Sequence, residues 1–405
     1  MAHPDSPAET KYVPTYFLAS LGAGGLVVTF FMYLMFWVPH AGRPVPVFED
    51  IIAAFATGGI AMKTSIVVAF IGIAVFAVMN LRALVWNLAA LSKFRASEKW
   101  AAFRTSNAES TLLAAPLAAA MSVNAMFIVG LAFVPDLWSI IEFLFPAALL
   151  AFLGLGAWAL ALIGRFLGRI LSQGGAFDLT QHNSFGQLLP AFALSMIGVG
   201  LAAPAAMSTT PAVVGLSLIL SSFFAVAAIL YALIAGITAF SAMLRHGSAP
   251  EAAPTLMIVI PLMTVLGILG LRQTHGLHGL DGTTGHATDT LMFLARLLSV
   301  QILFLGLGLV VLARQNYAAR FLSGTGASAG SYALICPGVA LSVMVHFFVN
   351  KGLVASGLIA KFGMVYWSVT GVALVAQIAM ILLVLRLNRM HFAAPPSDAT
   401  PVPAE

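Results

Sequence analysis

Ten apolar stretches, each long enough to cross a lipid bilayer as a helix, constrain this chain more than any other feature. A transmembrane helix needs about 20 largely apolar residues. The chain has 405 residues, of which 8% are charged, whereas a soluble domain carries about 25% charged residues. The sequence therefore predicts an all-α polytopic membrane protein. The ten predicted spans are residues 14–38, 64–92, 110–134, 137–170, 186–208, 211–244, 254–272, 288–313, 329–349 and 353–386.

The basic residues between these spans set the expected orientation, because lysine and arginine are enriched in cytoplasmic connections. Twelve of them lie on one side and five on the other if both termini are cytoplasmic, which is the orientation we predict. The inside set is Lys11, Lys93, Arg95, Lys99, Arg104, Arg165, Arg169, Arg245, Arg314, Arg320, Arg386 and Arg389. The outside set is Arg43, Lys63, Arg272, Lys351 and Lys361.

The two ends of the chain differ in composition from its middle. Residues 1–13 are a polar N-terminal segment with no short apolar core, so no cleavable signal peptide is expected. Residues 14–391 form the predicted ten-helix transmembrane domain, and residues 392–405 are proline-rich and predicted to be disordered. The net charge of +5 does not indicate nucleic-acid binding, because the basic residues lie at the ends of apolar segments rather than in one patch.

A proline recurs at intervals of 71 to 76 residues, inside the third, fifth, seventh and ninth predicted spans. Proline removes a helical hydrogen bond and clashes with the preceding turn. Within a membrane, irregular backbone survives only where protein or a water-filled cavity covers it. We therefore predict that Pro116, Pro190, Pro261 and Pro337 bend their helices beside a pore. The first span lacks the proline, and Gly22, Gly24 and Gly25 are predicted to take its backbone role.

This recurrence predicts five repeated helical hairpins around a central pore. The odd-numbered spans are rich in Ala, Gly, Ser and Pro, whereas the even-numbered spans hold Phe, Leu and Trp. Small residues allow helices to approach closely, so the odd spans are expected to form the inner circle. Residues 47–62 are predicted to form an interfacial or re-entrant segment, and residues 273–287 a glycine- and histidine-rich loop.

The ten spans and the recurring prolines resemble the tellurite-resistance/dicarboxylate transporter family, which includes TehA-type channels, the fungal malate permease and plant slow anion channels. The resemblance covers nearly all of residues 14–386. It implies inner helices that line a pore, a homotrimer as in bacterial members, and a bacterial inner membrane. The family has a pore-blocking phenylalanine beside the bend of helix nine, where this chain has Cys336 before Pro337. The chain is also similar to bacterial TsoY-type membrane proteins, some of which are selenoproteins, and a cysteine at a special pore position suits that likeness.

Cys336 is the only cysteine, which excludes a disulfide within the chain and a cysteine-based metal cluster. Two interpretations stay open for it: a small inert buried hydrophobe, or a thiol that faces the pore. The nearest cation in the sequence, Lys351, lies fifteen residues further on. That is roughly 22 Å along a helix, so Lys351 is not expected to activate the thiol.

Hydroxyl and amide side chains follow each proline by a few residues. They are predicted to line the pore together with the prolines and Cys336, although hydrogen bonding between helices is the alternative. His346 is placed near one mouth of the pore, where it either titrates near neutrality or has ordinary partners. The polar candidates are Ser122, Asn124, Ser195, Thr264 and Ser342.

The remaining charged residues and potential metal ligands are interpreted as structural rather than functional. Arg82 and Arg296 lie within even spans, and an ion pair of Arg296 with Asp289 is possible because seven residues separate them on one helical face. His275, His278, Asp281 and His286 have the residue types of a metal site but no matching spacing. No metal, other cofactor or catalytic residue is therefore predicted.

The function predicted from these residues is that of a channel or transporter for a small anion: a dicarboxylate, or an oxyanion of sulfur, selenium or tellurium. No nucleotide-binding loop, metalloprotease helix or hydrolase elbow is present in the sequence. One alternative is a membrane redox or sulfur- and selenium-handling protein that uses Cys336. Another is an assembly or sensor protein without transport activity.

Overall fold

A computed structural model describes residues 6–173, 184–323 and 326–393, and over these residues the chain is helical with no strand. Ten helices are long and apolar enough to cross a membrane, as the sequence predicts. We number them α1 to α10 in chain order. They are α1 Pro14–Trp37, α2 Ile60–Arg95, α3 Asn107–Phe133, α4 Leu137–Gln173, α5 Phe185–Met207, α6 Pro211–His246, α7 Pro250–Asp281, α8 Ala287–Arg314, α9 Ala329–Val354 and α10 Met364–Phe392.

The predicted loop at residues 273–287 is wrong over most of its length, because α7 continues to Asp281. Gly276, one of the glycines on which the loop prediction rests, lies where α7 crosses the end of α5. A Cβ atom at this position would stand 2.7 Å from the backbone oxygen of Ala205. The glycine therefore permits close helix packing, and the helix ends instead at Gly282, which has a left-handed φ of 63°.

The short segments outside the ten spans lie against them. Residues 47–62 contain one ten-residue helix, Phe48–Thr57, which is too short to cross a bilayer and packs on α2 and α3. In the polar N-terminal segment, a helix at Pro7–Thr10 contacts α10. The other short segments are a helix at Lys99–Thr105 and a π-helical turn at Ala318–Leu322. The predicted disordered tail lies outside the described residues, apart from Phe392, which ends α10, and Ala393.

Burial alternates along the chain. In each of the odd helices, between 61% and 94% of the most apolar window is buried, whereas the share is only 17% to 39% in the even helices. Each even helix contacts the odd helix that precedes it. The odd helices therefore form the interior of the bundle, and the even helices present their apolar side chains to the outside.

The odd helices close a circle of contacts. α1 contacts α3, α3 contacts α5, α5 contacts α7, α7 contacts α9, and α9 contacts α1. We call this closed set the inner ring.

Every odd helix begins as a 3₁₀ helix and then becomes α-helical. The 3₁₀ segments are Pro14–Tyr16, Asn107–Leu113, Phe185–Leu188, Pro250–Ile258 and Ala329–Leu334. Such runs rarely exceed three or four residues, yet three of these five have six or more. These five segments also contact one another in a closed cycle, and we call them the collar.

The recurring prolines mark the junction between the collar and the α-helices. The sequence predicts a bend at each proline within a helix. The structure instead places Pro116, Pro190, Pro261 and Pro337 at the second or third residue of the α-helical part. Proline is tolerated in the first turn because its missing N–H has no helical partner there. Extension of the α-helix across it towards the N-terminus would create a clash with the carbonyl four residues back, which explains why the collar has another geometry.

The three glycines of α1 act through packing rather than through a bend, since Phe17–Trp37 is a continuous α-helix. A Cβ atom at Gly22 would stand 2.8 Å from Ile335, and one at Gly25 would stand 2.7 Å from Val339. Both glycines therefore allow α1 to approach α9 closely. The same reasoning applies to Gly24, which faces α2 and α3.

Candidate functional site

The inner ring encloses a cavity of about 750 Å³, to which all five odd helices contribute side chains. The outer helix α4 adds Phe145 and Phe152 to its wall. The volume lies within the range of small-molecule binding sites, roughly 300–1,000 Å³.

The cavity occupies only one end of the inner ring. At its inner end it reaches Gly22, Pro261 and Cys336, a few residues past the collar, and no collar residue lines it. At the other end it reaches His275 of α7 and Lys351 of α9, which are exposed at the surface. The cavity is therefore a vestibule whose mouth lies at the C-terminal ends of the odd helices and whose blind end lies at the collar.

The charged residues that line the vestibule are all basic. Arg272 and Lys351 are joined by His275 and His278, and no aspartate or glutamate of the described residues contributes to the wall. The Arg272 guanidinium donates a 2.6 Å hydrogen bond to the Val199 backbone oxygen. Within the described residues neither Arg272 nor Lys351 forms an ion pair. Positive charge without a fixed counterion therefore lies on the α7 and α9 side of the vestibule near its mouth.

Lys361, in the connection between α9 and α10, extends this basic character beyond the vestibule. Partial burial, and secondly the positive charge of Lys351, lower the pKa of the Lys361 ammonium group below its usual range. This electrostatic interaction between two lysines indicates that the mouth concentrates positive charge.

Four of the predicted pore residues line the vestibule: Asn124, Pro261, Thr264 and Cys336. The Thr264 hydroxyl donates to the Ala340 carbonyl at 3.0 Å and accepts a hydrogen bond from Gln301 at 2.6 Å. The Asn124 amide donates to the carbonyl one turn back at 3.1 Å, which leaves its oxygen available. Cys336 is 9% exposed and lies at the blind end.

The other predicted pore residues do not line the vestibule. Ser122 and Ser195 are buried, and each donates to a carbonyl of its own helix at 2.9 Å. Ser342 is buried with no hydrogen-bond partner for its hydroxyl. The three prolines outside the wall stand beside the collar instead. The complete set outside the wall is Pro116, Pro190, Pro337, Ser122, Ser195 and Ser342.

From the sequence, Arg272 and Lys351 are assigned only to the connections on the outside of the membrane. Arg272 was the predicted last residue of its span, and Lys351 fell between two predicted spans. The structure places both inside long odd helices, because α7 continues to Asp281 and α9 to Val354. Their shared position near the C-terminal ends of inner helices is the signal that could have brought them together.

The remaining candidates do not form a site. His275 and His278 belong to the vestibule wall, but no group of three or more His, Cys, Asp or Glu residues comes together in the described chain in a way that could hold a metal ion. Arg82 and Arg296 are exposed on the outer helices α2 and α8. The ion pair considered for Arg296 and Asp289 is not formed in the described structure.

The fold and the vestibule define a polytopic membrane protein with a basic internal cavity. In comparisons with known proteins, no family model, no curated protein and no solved structure matches the chain. The resemblance to the tellurite-resistance/dicarboxylate transporter family therefore stays a prediction from the sequence.

Proposed function

We propose that this chain is a membrane channel or transporter for a small anion, which passes along the axis of the inner ring. The observation that carries the proposal is the vestibule, which all five odd helices line and whose only charged residues are basic. A water-accessible cleft lined by charges of one sign attracts ions of the opposite sign and raises their local concentration. Basic rings are a usual device for anion selectivity.

The remaining wall suits passage as well as binding. Hydroxyl, amide and thiol groups of Thr264, Asn124 and Cys336 lie deeper than the basic residues. An ion must bind weakly enough to leave again, and neutral polar groups satisfy that requirement. The collar, which the cavity does not enter, then corresponds to a shut state of the path.

The architecture of five repeated hairpins around a central pore belongs to this proposal. It is supported by the alternating burial of the helices and by the 3₁₀ start of every odd helix. With both termini cytoplasmic, the vestibule opens away from the cytoplasm. The homotrimer and the bacterial inner membrane stay predictions from the resemblance.

The test is anion flux into proteoliposomes, measured with chloride, nitrate, thiosulfate and malate. We expect at least one of them to enter faster than into empty vesicles. The double variant Arg272→Gln/Lys351→Gln should lose most of that flux, whereas Lys63→Gln, a basic residue of the same side outside the vestibule wall, should keep it. Rates equal to those of empty vesicles for all four anions would contradict the proposal.

The alternative of a membrane redox or sulfur- and selenium-handling protein depends on Cys336. The thiol does face the vestibule, so a solute could reach it. However, the nearest basic residue along its own helix, Lys351, is fifteen residues away. A thiol without a neighbouring cation lacks the usual means of activation, and the anion path is therefore the function we favour.

A further inference from the structure

A buried histidine without a partner lies on α9, behind the vestibule wall. His346 is 0% exposed, and neither of its ring nitrogens has a hydrogen-bond partner. A neutral imidazole always carries one donor and one acceptor. Buried polar groups are nearly always paired, and an unpaired one calls for an explanation.

Other unpaired polar atoms surround it. The Ser342 hydroxyl lies one turn earlier on the same helical face and has no partner. From α10, the Gln377 amide nitrogen is also unpaired, while its oxygen accepts a 2.6 Å hydrogen bond from Tyr33 of α1. The rings of Tyr33 and His346 are 6.2 Å apart. Unsatisfied polar groups of α9 and α10 thus lie in one buried region, and Tyr33 of α1 connects them.

The cluster has no counterion. From α1 the imidazole is faced by Tyr33, Phe36 and Trp37, and within the described residues it forms no ion pair. The Tyr33 phenol is the titratable group whose ring faces it. The Tyr366 phenol of α10 is linked to it through Trp37 and Asn350, and the charged group nearest along its own helix is Lys351. A proton taken up by His346 would therefore add an uncompensated positive charge.

The neighbours of His346 in sequence belong to the vestibule wall. Val343, three residues earlier, and Phe347, the next residue, line it. At 3.6 residues per turn both project within roughly a quarter turn of His346, so the imidazole lies on the face of α9 next to the wall. A helix with its side chains is about 10 Å across, so an anion against this wall would lie within roughly that distance of the imidazole. At an effective dielectric constant near 20, two unit charges at this distance change each other's binding on the order of tenfold.

The backbone provides a second connection. Two residues after His346, α9 changes to a π-helix at Phe348–Val354, a rare geometry that is frequent at functional sites. The Asn350 amide of this segment donates a 2.8 Å hydrogen bond to the His346 carbonyl. The next residue, Lys351, reaches the vestibule.

We propose that His346 is a proton-binding site coupled to the vestibule, so that proton uptake and anion binding favour each other. The inference depends on the proposed function and adds the proton as the coupling ion. An anion in the vestibule supplies the counter-charge that the cluster lacks. A proton on His346 in turn adds to the positive field of Arg272 and Lys351.

The first experiment follows protonation without relying on transport. Histidine-selective ¹⁵N NMR of the purified chain is recorded from neutral to acidic pH, with His346→Gln to assign the signal. Trp37, whose ring lies 6.2 Å from His346, gives an independent fluorescence reading. We expect one reversible titration that His346→Gln removes and that the control His246→Gln, at an exposed site on α6, retains. Identical titrations of wild type and His346→Gln would overturn the proposal.

The second experiment measures the coupling with malate and thiosulfate as probes. The titration midpoint of His346 should rise by about one pH unit at saturating anion, and a pH gradient should accelerate anion entry in wild type but not in His346→Gln. A midpoint that does not move while flux is intact would overturn the coupling alone. Absence of flux and of anion binding would instead contradict the proposed function, and the coupling with it, while the anion-free titration still decides whether His346 takes up a proton.

Discussion

The two ends of the inner ring differ in backbone and in side chains. At the collar, five 3₁₀ segments contact one another and no residue lines the cavity. At the mouth, the same five helices are α-helical apart from an interruption of α5 at Ala202 and the π-helical end of α9. They surround open space with Arg272 and Lys351 on its wall. In the function we propose, the mouth selects the ion and the collar controls its passage.

The largest effect on the proposed ion selection is expected when the charge of the mouth is reversed. In the double variant Arg272→Glu/Lys351→Glu, the wall carries two carboxylates in place of two cations, so anion entry should fall roughly a hundredfold. Proteoliposome flux measures the effect, and Lys63→Glu on the same side is the matched control. An unchanged flux would show that the mouth does not select the ion.

A smaller effect is expected at the collar junction. Pro337 does not line the vestibule, so Pro337→Ala acts through the backbone. Without the proline, the α-helix can extend into Ala329–Leu334, and six residues shorten by about 3 Å when 3₁₀ geometry becomes α. We expect the collar to loosen and anion flux to rise about tenfold in the liposome assay.

The matched control is Pro146→Ala, which removes an exposed proline from inside the outer helix α4. Its flux should equal that of wild type. If both variants behave alike, the collar is a structural feature and not a barrier.

Helix packing in the inner ring gives a prediction about stability. A side chain at Gly25 would clash with Val339 of α9, because a Cβ atom alone would stand 2.7 Å from a methyl group of that valine. Gly25→Val should lower the free energy of unfolding by about 1–3 kcal/mol, which thermal unfolding in detergent would register. Gly154→Val, on α4 where nothing lies within 4 Å, should be near neutral. Equal melting temperatures for the two variants would contradict the close approach of α1 and α9.

The smallest expected effect is that of removing the thiol. Cys336→Ala leaves the vestibule slightly wider and its charges unchanged, so flux should stay within about twofold of wild type. Abolished flux in this variant would favour the alternative in which Cys336 carries the chemistry.

Much of the fold could be predicted from the sequence, because a membrane span has a length set by the bilayer. The ends of the spans were harder to place, as α7 shows. Gly276 is typical of a loop in the sequence, yet it lies inside a helix because Ala205 of another helix packs against it. A contact between distant residues decides that outcome, and one sequence does not contain it.

The candidate site was only partly predictable for related reasons. The recurring prolines located the inner helices, but their spacing does not tell a bend from a 3₁₀ junction. Ser122 and Asn124 are two residues apart, and only Asn124 reaches the vestibule, because helix rotation decides which side chain faces inward. Arg272 and Lys351 count as residues of outside connections in the orientation prediction. Nothing in that prediction indicates that they lie on the vestibule wall.

The proposed anion path requires a basic vestibule that leads from the mouth to Cys336, the only cysteine. That claim is tested by the rate at which Cys336 reacts with an anionic methanethiosulfonate reagent and with a cationic one, each added from the mouth side of oriented vesicles. We predict that the anionic reagent reacts about tenfold faster or more, and that Arg272→Gln/Lys351→Gln removes the difference. Equal rates for the two reagents, or modification only from the collar side, would contradict the proposed anion path.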